Sequence, residues 1–262
     1  MAAGCLDALA APVTQGRVTR KREHRPWPLP RRPWVMGQTW TDLLFAHWRV
    51  APAALEPVVP AELPLDRFEG DAWISVTPFG VRNVRPRLTL PVPLVSAFPE
   101  VNVRTYVTVA GRPGIYFFSL DAGSALAVAA ARRLYRLPYF HARMAIERRD
   151  GGVAFTSRRA DRDAPAPAEL RARYRPVGAP APPAAGSLEH WLTERYCLYT
   201  LDDRRRVRRA EIHHPPWPLQ VAEGELELNT MAAEVGVELD GEPLLHYARR
   251  QDVVFWPLGA AS

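Results

Sequence analysis

Short segments in which apolar and polar residues alternate recur along the chain. Such alternation predicts β-strands, because successive side chains of a strand point to opposite faces of a sheet. The pattern covers residues 38–48 (QTWTDLLFAHW), 71–79 (DAWISVTPF) and 98–109 (FPEVNVRTYVTV). Residues 114–122 (GIYFFSLDA) are apolar on both faces, which is typical of a strand that is covered on both sides. We therefore expect a sheet with at least one fully enclosed strand.

Two longer stretches have the pattern of β-hairpins. Residues 141–159 contain two alternating runs joined through Asp150-Gly151-Gly152, a sequence that favours a tight hairpin turn. Residues 197–214 form a second pair of runs, of which the second is strongly basic. Strands outnumber helices, and hairpins outnumber crossover units. This predicts an α+β fold of mainly antiparallel β-structure, curved into a barrel or cone with a few peripheral helices.

The strongest helix pattern lies at residues 123–137 (GSALAVAAARRLYRL). Ser124 is a favourable N-cap, alanine has the highest helix propensity, and Pro138 stops the helix. A short helix is also predicted after Pro52, because proline suits the first turn of a helix. Another short helix is predicted after the capping residue Ser187. We expect these helices to pack outside the sheet.

Two segments lack any hydrophobic period. Residues 1–33 end in the run PWPLPRRP and are expected to form a disordered or extended basic leader. This leaves residues 34–262 as a single domain. Residues 161–186 are rich in alanine, proline and arginine and are expected to form a long irregular excursion.

The net charge of the chain, +6, is concentrated in the leader. Residues 1–34 hold seven basic and two acidic side chains, which is +5, and the remainder carries +1. A nucleic-acid-binding domain carries its basic excess on the folded part, so no nucleic-acid partner is expected. No apolar run approaches the roughly 20 residues of a membrane span. The two cysteines, Cys5 and Cys197, form no disulfide framework, so we expect a cytoplasmic protein without a membrane partner.

Glu100, Asn102 and Arg104 alternate with valines in the predicted strand at 98–109 and share one face of it. This face meets bulk water or lines a pocket. Because the segment at 114–122 is apolar on both faces, we expect the strand beside it to face an enclosed space. In a pocket, Arg104 would bind a carboxylate in a forked geometry and Glu100 could transfer a proton. Asn102 would orient the ligand.

Histidines offer further candidates. His47 lies among apolar residues, where a satisfied core histidine and a pocket residue are both open. His141 stands at the joint between the predicted helix and the first hairpin, and it either fixes this joint or faces a pocket. His213 and His214 are adjacent, so on a strand they point to opposite faces and do not share one ion. No metal site is predicted, and without a glycine-rich phosphate loop no cofactor is predicted either.

Seven segments stand in one order along the chain: WTDLLFAHW, LDRFEGDAWISVTPF, FPEVNVRTYV, GIYFFSLDA, RLPYFHARM, RYCLYT and EIHHPPWPLQVAE. Together they resemble the YqjF-like family of bacterial proteins, distant relatives of acetoacetate decarboxylase. The resemblance implies the decarboxylase-like fold, a curved barrel or cone of mostly antiparallel strands around one deep pocket. It also implies that Glu100 stands where the decarboxylase has a glutamate near its catalytic lysine.

The catalytic lysine itself has no counterpart. The resemblance puts the paired lysines of the decarboxylase after a Phe-Pro dipeptide, and the matching stretch here is Leu137-Pro138-Tyr139-Phe140. The only lysine of the chain is Lys21, in the leader. Arginine cannot form the imine, because it stays protonated. The chain is therefore not expected to be a Schiff-base decarboxylase.

The sequence thus predicts a pocket protein that binds or turns over a small anionic or carbonyl-bearing organic compound by a lysine-independent route. An enzyme and a non-catalytic binder both remain open, as does a homo-oligomer. The alternative is a non-enzymatic interaction or scaffold protein that acts through residues 161–186 or the leader. The candidate residues are Glu100, His141 and Tyr139 for proton transfer and Asn102, Arg104, Tyr116 and His47 for ligand binding.

Overall fold

The structure, a computed structural model, describes residues 2–92, 96–161 and 163–261. No helix in these residues is long and apolar enough to span a membrane. The helices are α1 (Ala2–Arg17), α2 (Pro52–Leu55), α3 (Ala125–Tyr135) and α4 (Leu188–Thr193). The strands are β1 (Met36–Val50), β2 (Ala72–Pro86), β3 (Phe98–Val109), β4 (Arg112–Ala122), β5 (Tyr139–Arg149), β6 (Gly152–Arg159), β7 (Glu169–Ala181), β8 (Cys197–Leu201), β9 (Val207–His213), β10 (Leu219–Asn229), β11 (Leu244–Phe255) and β12 (Gly259–Ala260).

The strands form two rings that share one wall. The larger ring runs β4-β3-β2-β1-β11-β10-β7-β6-β5 and closes through a parallel pairing of β5 with β4. The smaller ring uses the same wall, β4-β3-β2-β1-β11, and closes through β9 and β8. Most neighbouring strands are antiparallel. The predicted curved, mainly antiparallel architecture with peripheral helices is confirmed.

The shared wall is buried on both faces. Val101, Val103 and Val107 of β3 belong to a hydrophobic cluster that also contains Phe155 and Leu170 of the larger ring. Because side chains alternate along a strand, the residues of the opposite parity, among them Glu100, Asn102 and Arg104, point away from this cluster and into the smaller ring. The interior of the smaller ring therefore receives the polar face of β3.

A β-bulge in β1 changes which of its residues face the smaller ring. The register with β2 shifts between Thr41 and Ala46, and Asp42 adopts a positive φ of 52°. Within a regular strand the facing residues keep one parity, and a bulge inverts it. Trp40 therefore faces the smaller ring before the bulge, and Phe45 faces it after the bulge.

A second bulge does the same in β4. Asn102 of β3 is opposite Leu120, whereas Arg104 is opposite Phe117, so β4 holds one extra residue between these pairs. Leu120 faces the smaller ring on one side of the bulge, and Phe117 faces it on the other. The shared wall therefore places Phe117 in the smaller ring. Strict alternation from Leu120 would have placed Tyr116 there.

The predicted helix and both hairpins are confirmed. Ser124 caps α3 by accepting a hydrogen bond from the backbone N–H of Ala127, and the helix ends at Arg136 in the left-handed conformation. Ser187 caps α4 by accepting from the backbone N–H of His190. β5 and β6 pair antiparallel around the turn at residues 150–151, and β8 pairs with β9.

The expectation of a disordered leader is wrong for the residues that the structure describes. α1 packs on β1, β2 and β11. Gln15 is fully buried, donates to the carbonyl of Asn83 and accepts from Nε of Arg85. Arg25 is 7% exposed and forms an ion pair with Glu211. Specific polar contacts hold this segment, which is why it shows no hydrophobic period.

Residues 161–186 were expected to be irregular, and this is wrong for the half of the segment that forms β7. β7 pairs with β6 on one side and with β10 on the other. Leu170, Ala172 and Tyr174 point into the core of the larger ring, whereas Arg171 and Arg173 are exposed. The exposed arginines conceal a regular alternation in this stretch.

Candidate functional site

The smaller ring encloses a cavity of about 160 Å³. It lies between the shared wall, β8, β9 and α3, and it opens beside α3, where the lining residue Leu134 is 63% exposed. Apolar side chains form most of its surface. The aromatic lining residues are Trp40, Phe45, Phe79, Phe98, Phe117, Tyr135, Tyr139, Trp217 and Phe255.

Arg104 lies in the cavity wall without a counter-charge. Its side chain is buried, with 7% of the residue exposed. The guanidinium carbon lies 5.3 Å from the ring centroid of Phe45 and 5.9 Å from that of Tyr106. No carboxylate of the described residues forms an ion pair with it, and its Nε has no hydrogen-bond partner. Burial of a charge without a partner is unfavourable, so this guanidinium is available to an anion.

Two further donors enter the cavity from outside the shared wall. Arg195 follows α4, and its Nη1 forms an ion pair with Asp66 at 2.5 Å, whereas its Nη2 has no partner among the described residues. Its guanidinium carbon lies 4.9 Å from the centroid of the Tyr106 ring, the ring that Arg104 also contacts. Trp217 is 3% exposed, and its Nε1 also lacks a partner in the described chain. Both side chains line the cavity.

Unpartnered polar atoms are concentrated around this cavity. Buried polar atoms in folded proteins are nearly always hydrogen bonded, so several exceptions around one space indicate that a ligand or water completes them. These unpartnered atoms include both hydrogen-bond donors and hydrogen-bond acceptors. Within the described residues the atoms are Thr77 Oγ1, Asn102 Oδ1, Arg104 Nε, Arg195 Nη2 and Trp217 Nε1.

Glu100 provides an acid on the same face of β3. Burial raises the pKa of its carboxyl to about 8, the charge of Asp121 adds to this, and a hydrogen bond from Tyr139 opposes it. The Tyr139 hydroxyl donates to Oε2 of Glu100 at 3.1 Å. Burial also raises the pKa of Tyr139 well above its ordinary value. At pH 7 the pair is a neutral carboxylic acid held by a phenol, and such an acid can donate a proton to a bound molecule.

Four of the seven predicted site residues meet in the cavity wall, namely Glu100, Asn102, Arg104 and Tyr139. His47 lies on the same face of β1 as Phe45 but beyond the cavity, fully buried. Its Nδ1 lies 2.6 Å from the hydroxyl of Ser75, which in turn contacts the Tyr106 hydroxyl at 2.7 Å. Burial, with the nearby charge of Arg104, lowers the pKa of His47 well below its ordinary value. It is a neutral core histidine.

Tyr116 and His141 do not line the cavity either. The bulge in β4 turns Tyr116 to the other face of the shared wall, where its ring packs against Phe118 at 5.4 Å. His141 is half-buried, and its backbone pairs with Ala122 of β4 and donates to Asp161. The predictions that these two residues belong to the pocket are therefore wrong.

The residues that the sequence did not indicate are Thr77, Arg195 and Trp217. Thr77 is the cross-strand neighbour of Asn102, so the register of β2 against β3 would have found it. Arg195 and Trp217 lie outside regular elements, and no alternation marks them. Only the closure of the smaller ring brings them to β3.

The structure offers no lysine to the cavity. Lys21 is exposed, next to the short 3-10 turn Val18–Arg20. His213 Nε2 lies 3.0 Å from the carbonyl of Val18, and His214 Nδ1 lies 2.8 Å from the carbonyl of Pro215. In the described chain no group of three His, Cys, Asp or Glu side chains is placed to hold a metal ion.

Two rings around one deep cavity define an acetoacetate decarboxylase-like fold. The enduracididine biosynthesis enzyme MppR, solved with the condensation product of pyruvate and imidazole 4-carboxaldehyde, matches with a TM-score of 0.62 and 14% identity over 88% of this chain and 90% of its own. Acetoacetate decarboxylase from Legionella pneumophila subsp. pneumophila str. Philadelphia 1 matches with a TM-score of 0.58 and 10% identity, over 90% of this chain and 94% of its own. At such identities the likeness establishes the fold alone.

The chain belongs to the DUF2071 family, described as an uncharacterized conserved protein, whose sequence profile matches residues 37–252. Protein YqjF of Bacillus subtilis (strain 168) is 46% identical over 243 residues, which are 92% of this chain and 98% of YqjF. The resemblance to the YqjF-like family and its decarboxylase relatives is thus confirmed. The family description names no activity, so the function must be argued from the cavity.

Proposed function

We propose that this protein binds a small organic carboxylate in the cavity of the smaller ring and transfers a proton to or from it without a lysine. Arg104 is the anchor for the carboxylate, and Glu100 carries the proton. The observation that supports this most strongly is the buried guanidinium of Arg104, which has no counter-charge in the described chain. A bound carboxylate would supply that charge through two parallel hydrogen bonds.

The acid end of the cavity has complementary features. Glu100 is uncharged at pH 7 because burial raises the pKa of its carboxyl to about 8, which is suited to general acid catalysis near neutral pH. Tyr139 holds the carboxyl by a hydrogen bond and stands where the resemblance places the lysines of the decarboxylase. Asn102, between Glu100 and Arg104 on the same face of β3, orients the ligand. The role is therefore proton transfer beside a carbonyl, not imine formation.

A solved structure with the same fold also supports this function. MppR, which shares the fold, has been solved with a condensation product of pyruvate, so a cavity of this fold accepts small organic molecules. We also propose that the protein is cytoplasmic, because the buried free thiol of Cys197 is compatible with a reducing compartment.

A thermal-shift screen against small keto, hydroxy and aromatic carboxylates tests the binding step. A ligand at about 100 times its dissociation constant adds roughly 2.7 kcal/mol to the folded state, which raises Tm by about 5–10 °C in a chain of this size. We expect the shift to disappear in Arg104→Met and to persist in the surface control Arg158→Met. A shift of equal size in Arg104→Met would refute the anchor.

The proton transfer is tested separately with the compounds that bind. In D₂O, the hydrogens on the carbon next to the ligand carbonyl should exchange for deuterium. Proton NMR should show that their signal disappears faster with the protein than it does for the compound alone. Glu100→Gln should bind the compound and lose this exchange, because the ionised form of Glu100 takes the proton from that carbon and its acid form returns a deuteron, and an amide can do neither. Exchange at the wild-type rate in Glu100→Gln would remove Glu100 from the mechanism.

A further inference from the structure

The cavity wall beside Arg104 consists of packed aromatic rings. The rings of Trp40 and Trp217 are nearly parallel, with centroids 6.0 Å apart. Phe79 meets Trp40 edge-on at 5.5 Å, and Phe45 meets Trp217 edge-on at 5.0 Å. The guanidinium of Arg104 lies against this same Phe45. An anion bound to Arg104 would therefore place its body along an aromatic surface, which favours a flat apolar group.

The size of the cavity also favours a ligand with one flat ring. Its volume of about 160 Å³ is close to that of an engineered protein cavity, about 150 Å³, that binds benzene. Glu100 and Arg104 are four residues apart on β3, so their Cα atoms are separated by about 13 Å. Asn102 lies between them on the same face of β3. A molecule in contact with both ends must be longer than a three-carbon acid.

The charges of the cavity wall define the charge of the ligand. Among the described residues, Arg104 and Arg195 are the guanidinium groups in the wall, and Asp66 neutralises Arg195. Burial raises the pKa of Glu100 to about 8 and lowers the pKa of His214, so both are uncharged at pH 7. One positive charge remains, which matches a monoanion.

From these three features we infer that the ligand is a monocarboxylate with a flat apolar body of about one six-membered ring. Arg195 Nη2 and Trp217 Nε1 donate to its carboxylate beside Arg104. The inference rests on the function proposed above and narrows its substrate class. It also explains why Trp217 carries a buried N–H without a partner among the described residues.

Calorimetric titration with five probes tests the ligand class, namely benzoate, cyclohexanecarboxylate, pyruvate, benzamide and isophthalate. Benzoate should bind at least about tenfold more tightly than pyruvate, because it buries a ring. It should bind severalfold more tightly than the non-planar cyclohexanecarboxylate. Benzamide should be at least about tenfold weaker, since it lacks the charge. Isophthalate should also be weaker, because its second carboxylate has no counter-charge.

Trp217→Phe tests the added donor, with Trp40→Phe as the matched control. Both changes remove the same bulk from the wall, but the indole N–H of Trp40 already donates to Gln38. Trp217→Phe should therefore weaken the binding of benzoate about tenfold more than Trp40→Phe does. The extra loss should be smaller for benzamide, because a hydrogen bond to a neutral carbonyl oxygen is weaker than one to a carboxylate. This pair avoids Arg195→Met, which would leave Asp66 without its partner and destabilise the fold.

The outcomes separate this inference from the function on which it rests. If pyruvate or isophthalate binds more tightly than benzoate and the binding is lost in Arg104→Met, the ligand class is wrong and the carboxylate site stands. If Trp217→Phe and Trp40→Phe weaken benzoate equally, Trp217 does not bind the carboxylate. If no carboxylate binds, or binding survives Arg104→Met, both the inference and the proposed function fail.

Discussion

Arg104→Met should make the ligand-free protein more stable, which is unusual for a substitution in a buried strand. Arg104 is 7% exposed, and its guanidinium has no counter-charge in the described chain. Methionine has a similar length and no charge, so it fills the site without the desolvation penalty. Arg159 provides the opposite case, because its side chain is equally buried but forms ion pairs with Asp121 and Glu234.

The magnitudes follow from the contacts of each arginine. The desolvation penalty of a buried ion is several kcal/mol, and the contacts of Arg104 with the rings of Phe45 and Tyr106 offset roughly 0.5–2 kcal/mol each. The net gain from Arg104→Met is then about 1–3 kcal/mol, or roughly 3–10 °C in Tm. Arg159→Met leaves two carboxylates without their partner and should cost about 3–5 kcal/mol.

Differential scanning calorimetry of the two variants and the wild type at pH 7, without added ligand, shows whether each substitution raises or lowers Tm. Urea unfolding supplies the free energies independently, since equal m-values would show that the unfolded states are comparable. A decrease in Tm for Arg104→Met comparable to that for Arg159→Met would refute the reasoning. It would mean that Arg104 is stabilised within the empty protein and is not held ready for an anion.

Other predictions concern the acid pair and the leader. An exposed glutamate releases its proton above pH 4.5, whereas Glu100 keeps it to about pH 8, so the free energy of unfolding of the wild type should fall as the pH rises from 4.5 to 8. This loss is at most about 5 kcal/mol at the upper end. Urea unfolding at a series of pH values should show the loss in the wild type and not in Glu100→Gln. Tyr139→Phe removes a hydrogen bond that favours the ionised carboxyl, so carbon-13 NMR of labelled Glu100 should show its titration midpoint at higher pH, and a midpoint below about 8 would contradict this. Arg25→Met should lower the stability by about 1–3 kcal/mol, because Glu211 loses one of its three arginine partners and keeps Arg112 and Arg209; an unchanged Tm would show that the leader does not contribute to the fold.

The parts of the fold that depend on neighbouring residues were predictable from the sequence. The cap at Ser124, the hairpin turn at Asp150 and the strand alternation of β3 are local properties. The polar face of β3 was predicted to face a pocket because the adjacent strand is apolar on both sides. Glu100 and Arg104 line the cavity for that reason.

The parts that depend on interruptions of a pattern were not predictable. Strict alternation in β4 places Tyr116 in the pocket, and one extra residue at the bulge replaces it by Phe117. Likewise, Arg195 and Trp217 reach the cavity only because a distant pair of strands closes the smaller ring. A single sequence contains no periodic signal for either event.

The shared wall has a consequence for the thermodynamics of binding. Each cavity-facing residue of β3 has neighbours that are fixed in the packed core of the larger ring, so the wall cannot relax into the empty space. The polar groups that β3 itself presents, Asn102 and Arg104, are thus preorganised, and a ligand does not have to order them on arrival. Binding to such a rigid site loses little conformational entropy, and small molecules can therefore bind well with few contacts.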